Sequence, residues 1–133
     1  MAKGQNDDNK KRIMVVDDEP DLILILEVVL KENGFKVDTF DDPVVALKSY
    51  RAGVYDLLIL DIKMPKMDGF ELYDEIKKMD NKAKVCFLTA SEMYYKNSRR
   101  KKYCSLDKDL FIQKPIANED LVQEINKILT RSS

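Results

Sequence analysis

The chain has 133 residues, with 23 Lys and Arg against 24 Asp and Glu and a net charge of -1. That length suits one domain with a core of its own, and the balanced charge excludes a global field drawing it to nucleic acid or to an anionic membrane. There is no histidine, which removes zinc sites, serine and cysteine hydrolase triads and any phospho-histidine intermediate on this chain.

Residues 1–11 are polar and lack apolar periodicity, so they read as a disordered lead-in to a folded domain over 12–130 and a short tail over 131–133. Arg12-Ile13-Met14-Val15-Val16 is a first strand ending on Asp17-Asp18-Glu19. Pro20 at an early helical position, with Glu19 and Asp21 beside the positive end of the dipole, opens a helix that Asn33-Gly34 closes. Residues 36–40 form a second strand, and Asp42 caps a helix with Pro43 in its first turn, running to Gly53. Residues 55–60 are apolar enough for a strand buried on both faces, and that strand stops on Asp61. Pro65 cannot extend a strand ladder, and Asp68-Gly69 turns the chain into a helix over 68–79 with Phe70, Leu72, Tyr73 and Ile76 apolar. Residues 84–88 make a fourth strand ended by Thr89-Ala90-Ser91, and residues 92–107 are polar and helical in part. Residues 110–112 make a short fifth strand ended by Gln113-Lys114-Pro115, and Asn118 caps a last helix with Leu121, Ile125, Ile128 and Leu129 at helical spacing. The alternation predicts an α/β fold: a doubly wound, five-stranded parallel sheet of order 2-1-3-4-5 with right-handed crossovers. The longest apolar run, residues 22–26, is too short to span a bilayer. Cys86 and Cys104 make no disulfide framework and are expected in a reducing cytoplasm.

In that strand order the first and third strands are neighbours, so Asp17, Asp18 and Asp61 meet at the carboxyl edge, where open α/β sheets bind ligands. Two unit charges ~4 Å apart at an effective dielectric of ~20 repel by roughly 4 kcal/mol, so the three carboxylates need neutralising. Lys114 supplies one positive charge. An all-oxygen donor set suits Mg²⁺, with Mn²⁺ as an alternative ion. A carboxylate beside Mg²⁺ and an ammonium can attack a phosphoryl group, because phosphoryl transfer is chiefly positioning and charge neutralisation. Asp61 is then the nucleophile, Asp17 and Asp18 hold the metal, Lys114 bonds one phosphoryl oxygen and the Thr89 hydroxyl donates to another. Singly, these residues read as a helix cap, a strand end or an exposed corner. Their coincidence on successive strand ends favours a site.

Val15-Val16-Asp17-Asp18-Glu19, Leu60-Asp61-Ile62-Lys63-Met64-Pro65-Lys66-Met67-Asp68-Gly69, Leu88-Thr89-Ala90 and Gln113-Lys114-Pro115 resemble the four signature segments of the receiver domain of two-component response regulators. This is the CheY-like, flavodoxin-like (βα)5 fold, and the resemblance runs from about Arg12 to Leu129. It implies that Asp61 accepts a phosphoryl group from the phospho-histidine of a sensor histidine kinase or phosphotransfer protein. It also implies a Mg²⁺ bound by Asp18, Asp61 and the backbone carbonyl of Lys63, with Asp17 acting mainly through a water. Thr89 and Phe111 are implied as a switch pair, and the Lys114-Pro115 bond as cis. The resemblance further implies a cytoplasmic signalling protein, not an enzyme with a separate substrate, acting through a downstream protein partner or a phosphorylation-dependent homodimer. The chain is expected to be a stand-alone receiver with no DNA-binding module and no membrane contact.

Lys63 and Ser91 stand two residues beyond Asp61 and Thr89, positions that in the resembled family flank the water attacking the phosphate, so they are expected to tune dephosphorylation. A haloacid-dehalogenase-type phosphatase needs an acid where Lys63 stands. A flavin or nucleotide module needs a Gly-rich or Ser/Thr-rich phosphate loop after the first strand, and none is present. A degenerate receiver would act as a phosphorylation-independent interaction module, yet each acidic, hydroxyl and lysine position is filled. The segment before the fifth strand lacks the family's Gly-Ala turn, and Arg99-Arg100-Lys101-Lys102 would wrap a helix as a solvated surface. Residues 22–26 admit two readings: core plus overspill, which is favoured, or an exposed apolar strip that docks a helical partner.

Overall fold

β1 (Arg12–Val16), β2 (Lys36–Phe40), β3 (Leu57–Asp61), β4 (Val85–Thr89) and β5 (Phe111–Gln113) form one parallel sheet in the order β2-β1-β3-β4-β5. This is a computed structural model, and it describes residues 10–89, 111–114 and 118–130. The sheet order agrees with that expected. Expectations for the lead-in, for Ser91, for residues 92–107, for Cys104, for the Lys114-Pro115 bond and for the tail lie outside the described residues. Four described helices accompany the strands: α1 (Pro20–Glu32), α2 (Pro43–Ser49), α3 (Gly69–Met79) and α4 (Asn118–Thr130).

The sheet divides the core in two, because strand side chains alternate between its faces. On one face Met14, Val16, Leu58, Leu60, Val85, Phe87 and Phe111 pack with Ala46 of α2 and with Phe70, Leu72, Tyr73 and Ile76 of α3. On the other, Ile13, Val15, Leu57, Ile59, Cys86, Leu88 and Ile112 pack with Leu26 and Leu30 of α1 and with Leu121, Ile125 and Ile128 of α4. β3 and β4 are buried along their whole length, as a parallel sheet covered on both faces requires. Among the described residues no helix is long and apolar enough to cross a membrane.

Several boundaries differ by a few residues from those expected. The Ile62 amide donates to Leu88 O at 2.9 Å, so β3 and β4 each run one residue further, onto Asp61 and Thr89. At its start β3 is shorter than expected, because Asp56 is occupied by Arg12: their backbone N–H groups bond reciprocally, to Arg12 O and to the Asp56 carboxylate, each at 2.8 Å. Helix α2 stops at Ser49 instead of Gly53, since Tyr50 turns extended (φ -66°, ψ 137°) and swings its ring inward. That ring stacks on Tyr55 with centroids 5.7 Å apart, and its hydroxyl donates to Asp80 Oδ2 at 2.7 Å.

Asp80 also accepts from the Gly53 and Lys82 amides, and the Tyr50 hydroxyl leads these bonds in holding its carboxyl below the usual range. A depressed carboxyl stabilises the fold above the unfolded-state pKa near 3.8, and that contribution disappears as pH falls through the folded value. Tyr50→Phe is therefore expected to destabilise the protein by about 1 kcal/mol near neutrality. Urea midpoints of the two proteins should converge below about pH 3; a constant gap at all pH values would contradict this.

Helix α1 carries both readings of its apolar run. Ile23 and Leu26 are buried, whereas Leu24 and Ile25 are 61% and 51% exposed. Val28, one turn on from Leu24, is 48% exposed and lengthens the strip, which the five-residue run alone did not disclose.

Candidate functional site

β1 and β3 are hydrogen-bonded neighbours, and both end at the same edge of the sheet on carboxylates. Asp17, just past β1, is wholly buried, and its Oδ1 accepts the Glu19 amide at 2.9 Å. Asp18 is exposed at the rim. Asp61, the last residue of β3, is 5% exposed. One carboxylate oxygen from each of these three residues lies within 4.8 Å of the other two.

Lys114 enters from the end of β5, held by its backbone amide, which donates to Thr89 O at 2.7 Å. Its ammonium donates to Asp17 Oδ2 and Glu19 Oε1, each at 2.8 Å, and stands 3.4 Å from Asp61 Oδ1. Burial opposes that charge, but the bonds to Asp17 and Glu19 outweigh it and raise the ammonium's proton affinity. One cation thus serves three carboxylates, with Asp18 as a fourth nearby. The consequence falls on Asp61: burial first, then the charge of Asp17, pushes its carboxyl up to about 7 despite Lys114. Burial likewise raises Asp17, against the bond from Lys114.

These residues fit a hard divalent cation. The donors are all oxygen, they converge, two are backed by protein and one opens to solvent. The proton affinity of Asp61, raised first by burial and then by the charge of Asp17, is only partly offset by Lys114.

Thr89 ends β4 with 2% exposure. Two residues earlier on the same face, Phe87 pairs in register with Phe111, and their rings stack at 5.3 Å, with Phe70 at 6.1 Å from Phe111. The two expected switch positions therefore lie on adjacent strands, the aromatic one a layer below the hydroxyl. Lys63 is exposed in the loop after β3. Asp17, Asp18, Asp61 and Lys114 come together as expected; Ser91 and Pro115 lie outside the described residues.

Two participants had no assigned role in the site. The sequence marks Glu19 only as a helix-dipole partner, although its position directly after Asp17-Asp18 leaves it within reach of Lys114. In the sequence Gly69 belongs to an Asp-Gly turn that leads into a helix; in the structure it is the first residue of α3, pressed against the end of β3. A Cβ there would sit 2.3 Å from the carbonyl oxygen of Asp61, 3.0 Å from its carbonyl carbon and 3.1 Å from Ile62 Cα. The Gly69 amide donates to Ile62 O at 2.8 Å, and Asp68 and Glu71 close a reciprocal capping box. The helix is thus seated directly on the backbone that carries Asp61.

Residues 13–126 match the family model of the response regulator receiver domain. The chain belongs to that family. This receiver is 34% identical over 122 residues to the transcriptional regulatory protein PrrA of Mycobacterium bovis, across 90% of this chain and 50% of that protein. It is 31% identical over 124 residues to the transcriptional regulatory protein RprY of Bacteroides fragilis, across 93% and 51% respectively. The chain spans about half the length of these curated relatives. Among solved structures, the non-phosphorylated HemR receiver domain of Leptospira biflexa superposes with a TM-score of 0.79 at 25% identity, covering 93% of this chain and 98% of that one. The response regulator TrrA of Thermotoga maritima, in complex with Mg²⁺-BeF, gives 0.73 at 36% identity, covering 89% and 98%.

Proposed function

We propose that this receiver is a phosphorylatable switch in which an Asp61 carboxylate oxygen attacks the phosphorus of a phospho-histidine on a sensor kinase or phosphotransfer protein. The new O–P bond replaces the donor's P–N bond, and the imidazole nitrogen leaves with the electron pair. The protein turns over no separate substrate. The observation that carries this reading is the convergence of Asp17, Asp18 and Asp61 beside the partly buried Lys114 at the edge of the sheet.

Asp18, Asp61 and the Lys63 carbonyl would hold Mg²⁺, with Asp17 behind them; the ion, when bound, offsets the charge of the carboxylates and of the incoming phosphoryl oxygens. This chain's own groups do the rest. Asp61 is fixed by the end of β3 and by α3 pressed behind it. Lys114 is placed to donate to a phosphoryl oxygen once its bonds to Asp17 and Glu19 slacken, and the Thr89 hydroxyl would turn toward the same group, drawing Phe111 inward. The Lys63 ammonium, beside that group, would tune its hydrolysis. The strip Leu24, Ile25 and Val28 suits contact with the phosphoryl-donating partner. Each acidic, hydroxyl and lysine position is filled, which favours this reading over a constitutive interaction module.

Incubation with acetyl phosphate and Mg²⁺ is expected to add one phosphoryl mass to the intact protein, and EDTA is expected to prevent it. A gain indifferent to EDTA would overturn the proposal.

A further inference from the structure

The loop between Asp61 and α3 contains one backbone conformation that its sequence disfavours. Lys66 has φ 73°, left-handed for a residue with a full side chain. It is the middle residue of a three-residue turn closed by the Met67 amide donating to Pro65 O at 2.8 Å, a turn that is rare and strained in this hand. Such a conformation persists only where the surroundings impose it. Here the loop has an apolar anchor, the buried Met64, and a polar one: Lys66 Nζ bonds Asp42 Oδ2 at 2.7 Å. Asp42 is itself fixed, because its other oxygen accepts the Val44 amide at 2.8 Å as the cap of α2.

From this we infer that the Lys66–Asp42 ion pair is a positioning device: it holds the strained turn, and through it the backbone at Lys63, in the form that receives a divalent cation. The inference rests on the divalent-cation reading of the Asp17, Asp18 and Asp61 crevice and is independent of phosphoryl transfer. Charge alone makes the opposite forecast for one variant. Removing a cation near an acidic crevice should tighten Mg²⁺ binding, whereas loss of an anchor should weaken it.

The test is Mg²⁺ titration by calorimetry with no phosphodonor present. Lys66→Met is expected to weaken binding roughly three- to fivefold, the scale of an exposed pair at its upper end. Lys66→Arg should restore it. Lys66→Gly also lacks the ion pair but adopts φ 73° without strain, so it should stay within about twofold of wild type. Asp42→Asn keeps a side-chain oxygen for the cap, and the double variant with Lys66→Met should bind no more weakly than the weaker single variant. Tighter binding by Lys66→Met, equal loss in Lys66→Met and Lys66→Gly, or affinities all equal to wild type would overturn the inference. Protein that binds Mg²⁺ in this pattern but gains no phosphoryl mass would overturn the phosphoacceptor reading alone. A wild type that takes up no Mg²⁺ would overturn both.

Discussion

Asp61→Asn is expected to stabilise the metal-free protein near pH 8 while abolishing its phosphorylation. The folded structure lifts the Asp61 carboxyl from 3.8 to about 7, chiefly by burial and by the charge of Asp17. A carboxyl whose folded pKa is raised opposes folding when it is ionised. The penalty is full above the folded value and vanishes as pH falls from about 7 through the unfolded value near 3.8. A shift of that size has a ceiling of roughly 4 kcal/mol, and sharing of Lys114 with Asp17 and Glu19 brings the expected gain to about 1–3 kcal/mol. Asparagine keeps the volume and removes the charge. Urea midpoints in EDTA should therefore favour the variant near pH 8 and draw together toward pH 4. Excess Mg²⁺ should narrow or reverse the gap, since on the proposed reading it would bind the folded wild type more tightly than a variant that has lost one of the three carboxylates. A variant no more stable than wild type near pH 8, or a gap that ignores pH, would show that Asp61 is not strained by its neighbours. Addition of a phosphoryl group to the variant as readily as to wild type would remove Asp61 as the acceptor.

Gly69→Ala should be the most damaging single-methyl change near the site. Two effects compete. Alanine is favoured over glycine in a helix by about 1 kcal/mol. The added Cβ, however, would stand 2.3 Å from the Asp61 carbonyl oxygen, and all three nearest atoms belong to backbone in β3 or just beyond it. No rotamer can relieve that contact, so α3 must lift from the sheet or the strand end must move. Overpacking of this kind costs about 1–3 kcal/mol and more where neither side yields. A net loss of about 2 kcal/mol or more is expected by urea denaturation, with weaker Mg²⁺ binding because the displaced backbone carries Asp61. A stable variant with unaltered Mg²⁺ affinity would mean that the helix can shift without moving the carboxylate.

The strand order and the meeting of Asp17, Asp18, Asp61 and Lys114 were legible in the sequence for one reason. Apolar runs of strand length ending abruptly on charge name both the sheet and its functional edge, and the parallel topology then makes the first and third strand ends neighbours. What escaped depends on distances that no run of residues encodes. The place of Glu19 beside Lys114 required knowing how the chain turns after β1. The demand for glycine at position 69 comes from the separation of α3 and β3, whereas the sequence displays only a common Asp-Gly turn. Helix α2 ends four residues before Gly53 because Tyr50 breaks it through a tertiary bond to Asp80, thirty positions away, and a distant partner overrides local propensity. In α1 the five apolar residues in a row concealed which would be covered. Helical periodicity shares them between two directions, and only the packed sheet decides.

The partition of the core by the sheet has a mechanical corollary. Phe111 and Ile112 are consecutive in β5 but belong to opposite compartments, the first with α2 and α3, the second with α1 and α4. A swing of the Phe111 ring would be absorbed among Phe70, Phe87 and their companions, leaving the far compartment undisturbed. The apolar strip on α1 would then keep its shape while the ring moves, so that a partner docked there need not register what happens on the opposite face.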